Sequence, residues 1–234
     1  MALDISAIAQ TIDHTLLRPD ADQAAVEKLC NEALNYHFAS VCIAPYFVPV
    51  AHTNLQGTDI RICTVIGFPL GYTHREIKVA EAGLALAQGA QELDMVINIS
   101  ALKSGQKQVV QDEIAALVQL AHDKGAILKV IIETALLDDK EKIQLCEIVS
   151  ASGADFIKTS TGFSTAGATL EDIHLMKKNC APHLKIKASG GIRNLTWAKA
   201  MLSVGADRLG TSSGVAIMEE LSGNGENGGG SQSY

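Results

Sequence analysis

A lysine stands inside an apolar run at Gly153-Ala154-Asp155-Phe156-Ile157-Lys158-Thr159-Ser160-Thr161-Gly162. The run reads as a short strand that breaks into a Thr/Ser/Gly turn. An amine in such a place is costly, because burial disfavours its charged form. The cost makes sense where the amine is wanted neutral, since only a neutral amine attacks a carbonyl. The plainer reading of Lys158 alone is a strand-end lysine that lays its stem on apolar surface and keeps its head in water. Two further charged residues shift the balance. Asp94 lies in the strand-like Leu93-Asp94-Met95-Val96-Ile97-Asn98, and Lys187 lies near the end of another, Leu184–Ser189. A nucleophilic lysine, a second cation that holds it neutral and a carboxylate that moves protons would make up an amine-catalysis set. Taken singly, Asp94 also reads as the structural partner of a barrel lysine and Lys187 as a surface lysine like Lys185. Glu133, at the end of Ile127–Glu133, reads as a partner of one lysine.

These residues converge only if their strands share one end of one sheet. Residues 3–10 read as a short helix and Ile12–Leu17 as a first strand. Asp20-Ala-Asp-Gln23 looks like a capping box for a helix running to about Asn35. Ser40–Ala44 is a buried-type strand closed by Pro45. The rhythm continues with strands Arg61–Phe68, Leu93–Ile99, Ile127–Glu133, Asp155–Lys158, Leu184–Ser189 and Asp207–Gly210. The helices between and after them are Glu76–Gln88, Gln108–Asp123, Asp139–Ser152, Leu170–Asn179, Trp197–Val204 and Ser213–Leu221. The strands are almost continuously apolar, as in parallel sheets covered on both faces. Four helices run into the same Gly-Ala pair, at Gly89, Gly125, Gly153 and Gly205, where glycine supplies a left-handed turn into the next strand. Eight repeated units in 234 residues imply an α/β chain folded as a single (β/α)8 TIM barrel over residues 1–221, with a short N-terminal helix. The Gly-rich fingerprint of an open nucleotide-binding sheet is missing. Residues 222–234 are rich in Gly, Asn and Ser, read as a flexible tail, and end in Tyr234.

Two Gly/Ser elements follow the last two strands: Ser189-Gly190-Gly191-Ile192-Arg193-Asn194 and Gly210-Thr211-Ser212-Ser213-Gly214. Loops in those places, each leading to a helix N-terminus, form the recurrent phosphate site of such a barrel. They imply a phosphorylated substrate. Asn194 reads as the cap of the helix after it.

Composition narrows the rest. A net charge of −7 argues against a nucleic-acid surface, and no apolar run approaches bilayer length. No basic stretch precedes an apolar one near the start, so no secretory signal is expected and a cytoplasmic enzyme is. The five cysteines form no C-x-x-C pair and read as reduced core residues, Cys42 among them. The seven histidines show no metal-ligand spacing, so neither metal nor cofactor is expected.

At these residues the chain resembles the deoxyribose-phosphate aldolases, which are class I (Schiff-base) aldolases. The likeness runs nearly end to end. It is carried by Ile12-Asp13-His14-Thr15-Leu16-Leu17, Val41-Cys42-Ile43, Val65-Ile66-Gly67-Phe68-Pro69, Glu92-Leu93-Asp94-Met95-Val96 and Lys129 to Thr134. The most specific pair is Phe156-Ile-Lys-Thr-Ser-Thr-Gly162 with Lys187-Ala-Ser-Gly-Gly-Ile-Arg193. The resemblance implies that Lys158 forms the Schiff base, Lys187 perturbs it and Asp94 shuttles protons. Gly162, Gly190, Gly191, Ser212 and Ser213 would surround the phosphate, and Cys42 would line the pocket. Phe163 stands where some members carry a lysine, which removes one phosphate-side cation. The closing Ser-Gln-Ser-Tyr resembles members whose terminal tyrosine, here Tyr234, reaches the site. The implied reaction is reversible cleavage of 2-deoxy-D-ribose 5-phosphate to D-glyceraldehyde 3-phosphate and acetaldehyde, without a metal. The sequence leaves open another Schiff-base aldolase, a transaldolase, or a sugar-phosphate-binding barrel without catalysis. It also leaves the oligomeric state open, with a homodimer as the first expectation and neither nucleic acid nor membrane as partner.

Overall fold

The computed structural model describes residues 5–223, and its strands form one closed parallel ring in chain order. The strands are β1 (Ile12–Leu16), β2 (Ser40–Ile43), β3 (Arg61–Ile66), β4 (Glu92–Val96), β5 (Ile127–Ile131), β6 (Phe156–Lys158), β7 (Lys185–Ser189) and β8 (Arg208–Thr211). Each pairs with the next, and β8 pairs with β1 through Asp13 opposite Gly210. The helices are α1 (Ile5–Ala9), α2 (Gln23–Tyr36), α3 (Val48–Leu55), α4 (Arg75–Ala87), α5 (Ile99–Lys103), α6 (Lys107–Asp123), α7 (Asp139–Ser152), α8 (Leu170–Asn179), α9 (Leu195–Ser203) and α10 (Gly214–Leu221). This is the expected (β/α)8 barrel.

The apolar runs explain the ring. Every residue of β2, β4 and β6 is buried, as strands need when helices cover one face and the barrel interior the other. The helices are apolar on one side only. On α6, Val110, Ile114, Leu117, Val118 and Ala121 recur at helical spacing and are buried. Truncating such a leucine to alanine costs about 2–5 kcal/mol, so the outer layer stabilises the ring as much as the strands do. The helix ends match their local sequence. Asp138 and Glu141 form a reciprocal capping box on α7, and Gly153 turns the chain out of that helix at φ 81.

Four local expectations need correction. The cap of α2 is Asp22, which accepts from Ala25 N at 2.9 Å, while Asp20 pairs with Arg18. The stretch after Pro45 is not an irregular loop. Pro45 opens a 3₁₀ turn (Pro45–Phe47), and Pro49 sits in the first turn of α3, where its missing N–H has no partner to lose. The fourth strand does not reach Ile99, because the Asn98 side chain accepts from Ala101 N at 3.0 Å and starts α5. The fifth stops at Ile131, and Glu133 adopts a left-handed φ of 55.

Candidate active site

Strands alternate their side chains, so Glu92 and Asp94, two apart on β4, both face the barrel interior. Facing them are Lys129 of β5, Lys158 of β6, Lys187 of β7, Arg208 of β8 and Asp13 of β1. The ring register puts Asp94 opposite Lys129, and Lys187 between Lys158 and Arg208. Asp13, Glu92, Asp94, Lys129 and Lys187 have no exposed surface, and Lys158 keeps 3%.

Asp94 is the hub of this layer. Its Oδ2 accepts from Lys158 Nζ at 2.7 Å and from Lys187 Nζ at 2.7 Å. Its Oδ1 accepts from Lys129 Nζ at 2.9 Å and from Cys63 Sγ at 3.1 Å. Lys187 also donates to Asp13, whose other oxygen takes Arg208 Nη1 at 2.6 Å. Lys129 Nζ lies 2.5 Å from Glu92 Oε2, a contact of charge that is not aligned as a hydrogen bond. Burial by itself would push the Asp94 carboxyl up, but Lys129, Lys158 and Lys187 outweigh it and hold the group well below the usual carboxylate range. Burial likewise works against the cations. Asp13 and Asp94 nevertheless raise Lys187, and Asp94 with Glu92 raises Lys129 well above an ordinary lysine.

Four cationic side chains thus touch three carboxylates in a place without water. Lys129 has three acidic contacts, and Lys187 and Arg208 have two each. Lys158 has one, an oxygen that Lys187 also uses. A layer of this kind is electrically balanced when one amine is neutral, and Lys158 is the amine with least to lose. Chemically, such an amine is suited to attack a carbonyl, with a charged neighbour and a carboxylate beside it to handle protons.

The end of β4 is held from outside the ring. Buried Lys78 of α4 donates to Val96 O at 2.8 Å and to Glu113 Oε2 at 2.6 Å, and Glu113 Oε1 accepts from Asn98 N at 2.5 Å. This pair clamps the chain just beyond Asp94. Glu133 does not partner a lysine. Its carboxylate accepts from Thr161 N at 3.2 Å and Thr161 Oγ1 at 2.5 Å, which fixes the turn after β6. Burial pushes that carboxyl up, against the pull of Thr161.

The Gly/Ser loops gather at the same end of the barrel. A Cβ on Gly190 would stand 2.8 Å from Gly167 Cα and 3.7 Å from Gly162 Cα, so the loops after β6 and β7 touch through backbone that only glycine permits. Gly191, Ser212 and Ser213 lie on the neighbouring turns after β7 and β8. The two helix starts differ. Asn194 caps α9 by accepting from Trp197 N, as expected, whereas α10 has no side-chain cap. The uncapped N–H groups of α10 are therefore the better anion seat. Phe163 is 52% exposed beside Gly162 and meets the Phe68 ring edge-on at 5.3 Å.

Lys158, Lys187 and Asp94 are brought together as the sequence suggested. Cys42 is wholly buried, with its sulfur in one group with Cys63 Sγ and an Asp94 oxygen. Tyr234 lies outside the described residues. Asp13, Glu92, Lys129, Arg208 and Cys63 received no role from the sequence, although Lys129 in Ile-Leu-Lys-Val-Ile carries the same signal as Lys158. Cys42, Cys63 and Asp94, or Asp13, Cys63 and Glu92, bring metal-ligand atoms within 4.8 Å. Lys129, Lys187 and Arg208 already engage those carboxylates, so ammonium and guanidinium groups take the place of a metal ion. A groove of about 740 Å³ opens at the opposite end, among Gln10, Tyr36, Phe38 and Met218, and holds none of this layer.

Comparison with known proteins gives a consistent picture. The DeoC/LacD family aldolase profile matches residues 7–220. A deoxyribose-phosphate aldolase of Clostridium perfringens is 52% identical over 217 residues, which cover 93% of this chain and 96% of that protein. One from Streptococcus mutans is 54% identical over 212 residues, covering 91% and 96%. Among solved structures, the tetrameric deoxyribose phosphate aldolase of Aeropyrum pernix superposes with a TM-score of 0.88 at 36% identity, covering 94% and 92% of the two chains.

The charged layer makes a test of stability independent of any activity. Lys129→Met leaves Glu92 and one Asp94 oxygen without their nearest cation, and should cost about 3–5 kcal/mol. Urea unfolding followed by circular dichroism should show the midpoint fall, and adding Glu92→Gln should recover part of the loss. A Lys129→Met protein as stable as the parent would mean that Lys129 does not neutralise this layer.

Proposed function

Since this chain belongs to the DeoC/LacD aldolase family, we propose that it works as a deoxyribose-phosphate aldolase through a Schiff base on Lys158. The observation that carries the residue assignment is the imbalance of the buried layer, in which Lys158 is the least paired of four cations. The reaction is reversible cleavage of 2-deoxy-D-ribose 5-phosphate to D-glyceraldehyde 3-phosphate and acetaldehyde. In the synthetic direction, Lys158 Nζ attacks the acetaldehyde carbonyl carbon, and the carbinolamine loses water to give an iminium. A methyl proton leaves to give an enamine, whose carbon attacks the aldehyde of the phosphorylated partner. Water then hydrolyses the iminium and frees the sugar phosphate. The iminium is the electron sink, so no step calls for a metal. Asp94 Oδ2 touches both amines and is placed to pass protons between Lys158 and the charged Lys187. Cys42 forms part of the wall behind Asp94. Gly162, Gly190, Gly191, Ser212 and Ser213 would receive the phosphate, with α10 supplying N–H groups and dipole. A cytoplasmic homodimer completes the proposal; light scattering checks the oligomer. Among the described residues, no helix is long and apolar enough to cross a membrane.

Incubation with acetaldehyde and borohydride should leave a reduced two-carbon adduct on Lys158, located by peptide mapping. Lys158→Arg should abolish turnover, because a guanidinium stays charged and is no nucleophile. An adduct on Lys187 alone would move the nucleophile. Dihydroxyacetone in place of acetaldehyde should leave no adduct, which separates this reading from a ketose-donor aldolase.

Lys187→Leu should move the pH–rate profile upward as well as slow the reaction. Its loss removes a cation that opposes a proton on Lys158 and frees two carboxylates, Asp13 and Asp94, that favour one. Lys158 then keeps its proton to higher pH, and the active neutral form appears later on the alkaline side. An unshifted profile would mean that Lys187 acts by another route.

Ser213→Asp should raise KM for deoxyribose 5-phosphate far more than KM for deoxyribose. A carboxylate at the uncapped start of α10 repels a phosphate and barely affects a neutral sugar. Equal changes would place the phosphate elsewhere.

The proposal extends to Tyr234 as the phenol that moves the enamine-carbon proton; its support is the likeness of the closing residues to other members. Deleting Tyr234 should slow exchange of acetaldehyde methyl protons with deuterated water, while borohydride trapping persists. Exchange at the parent rate would remove it from the mechanism.

A further inference from the structure

The mechanism above leaves two buried thiols beside Asp94 without a task. Cys42 on β2 and Cys63 on β3 are opposite one another in the parallel register. Their sulfurs and an Asp94 carboxylate oxygen all lie within 4.8 Å of one another. Neighbouring strands run about 4.8 Å apart, inside the Cα separation of about 4.4–6.8 Å that a disulfide spans. Buried cysteines are ordinarily inert apolar fillers. This pair differs in its surroundings and in its access.

The surroundings make the two sulfurs unequal. Cys63 donates its S–H to Asp94 Oδ1 at 3.1 Å, and Lys129 Nζ donates to its sulfur at 3.3 Å. Burial pushes the Cys63 thiol well up, so it stays protonated. Cys42 is drawn downward by its contact with Cys63, and Lys187 and Lys158 add to that pull against the opposing effect of burial. One member is therefore the nucleophile and the other the reserve thiol. Access follows from the reaction itself. An aldehyde has to reach Lys158, whose Nζ contacts the same carboxylate that lies beside both sulfurs. A peroxide is no larger than acetaldehyde and can use the same way in.

We infer that Cys42 and Cys63 are a peroxide-oxidation site that closes to a disulfide and thereby suppresses the amine chemistry above. In the first step the Cys42 thiolate sulfur attacks one oxygen of hydrogen peroxide, the O–O bond breaks, and hydroxide leaves and takes up a proton as water. Cys42 is then a sulfenic acid. In the second step Cys63 sulfur attacks Cys42 sulfur, the S–O bond breaks, and the hydroxyl leaves as water with the Cys63 proton. Two thiols have lost two electrons and two protons, and one peroxide has become two waters. The product takes from Asp94 the S–H donor it had from Cys63. Asp94 is the carboxylate that sets the charge on Lys158, so the amine is reset by a change one strand away.

The test uses the whole protein, and its structural arm is independent of the aldolase reading on which its activity arm rests. The protein is treated with graded hydrogen peroxide, quenched with N-ethylmaleimide under denaturing conditions and mapped by mass spectrometry without reduction. A Cys42–Cys63 linked peptide, lighter by two hydrogens than the two thiol peptides, is expected. Aldolase activity should fall in proportion to the linked fraction and return with dithiothreitol. In Cys63→Ala, compared with its own untreated rate, the linked peptide and the proportional, recoverable loss should both vanish. Full alkylation of Cys42 and Cys63 at doses that oxidise the more exposed Cys180 would overturn the inference. So would a linked protein that keeps its full activity.

Discussion

Asp94 accepts from three lysines in a place that water does not reach, and the arrangement around it follows from that one demand. A carboxylate stripped of solvent needs compensation, and each lysine brought to it needs compensation in turn. The chain meets this with a lattice of alternating charge. Lys129 and Lys187 are anchored a second time on Glu92 and Asp13, and Arg208 ties those two together. Lys158 is left with a share of one oxygen. A poorly compensated amine next to well compensated ones is thus a property of the whole layer, with the chemistry placed where the pairing is thinnest.

The barrel makes this possible by delivering one charged side chain at a time. Seven charged groups from six strands meet in the layer, and a sheet of six neighbouring strands laid flat would not bring β1 and β8 into contact. Closure does so through Asp13 and Arg208. The loops are stiffened separately. Lys78 and Glu113 hold the chain beyond β4, and Glu133 holds Thr161 beyond β6, each with buried groups that leave little freedom for the adjacent catalytic strand end.

Much of this is visible in the amino-acid order, and what is missing is missing for physical reasons. The eight apolar runs and the Gly-Ala turns after the helices are local signals, and they suffice for the barrel. Lys158 stands out because a lysine interrupts Phe-Ile, and the Gly/Ser turns after β7 and β8 announce themselves by composition. Lys129 interrupts Ile-Leu in the same way, yet nothing local says that its strand places it between Asp94 and Glu92. Asp13 and Arg208 are still further from view, because their contact exists only once the ring is closed. The smaller errors have the opposite cause, a local signal with two solutions. Asp20 and Asp22 both suit a cap, and Pro45 and Pro49 suit a helix start as well as a break. Asn98 ends a strand by capping a helix that is only five residues long.

The ion pair between Asp13 and Arg208 joins residues 195 apart in sequence. It bears on how the chain folds. A nascent or partly assembled barrel that lacked β8 would carry Asp13 and Glu92 inside with their guanidinium partner still in solution, and a three-quarter ring would expose the layer to water and gain little from forming it. The interior charges therefore reward only the complete circle, which penalises half-built intermediates and couples the first strand of the chain to the last. Contacts of such long range also slow the search. What the layer provides in exchange is a single cooperative step in which the ring and the amine chemistry come into being together.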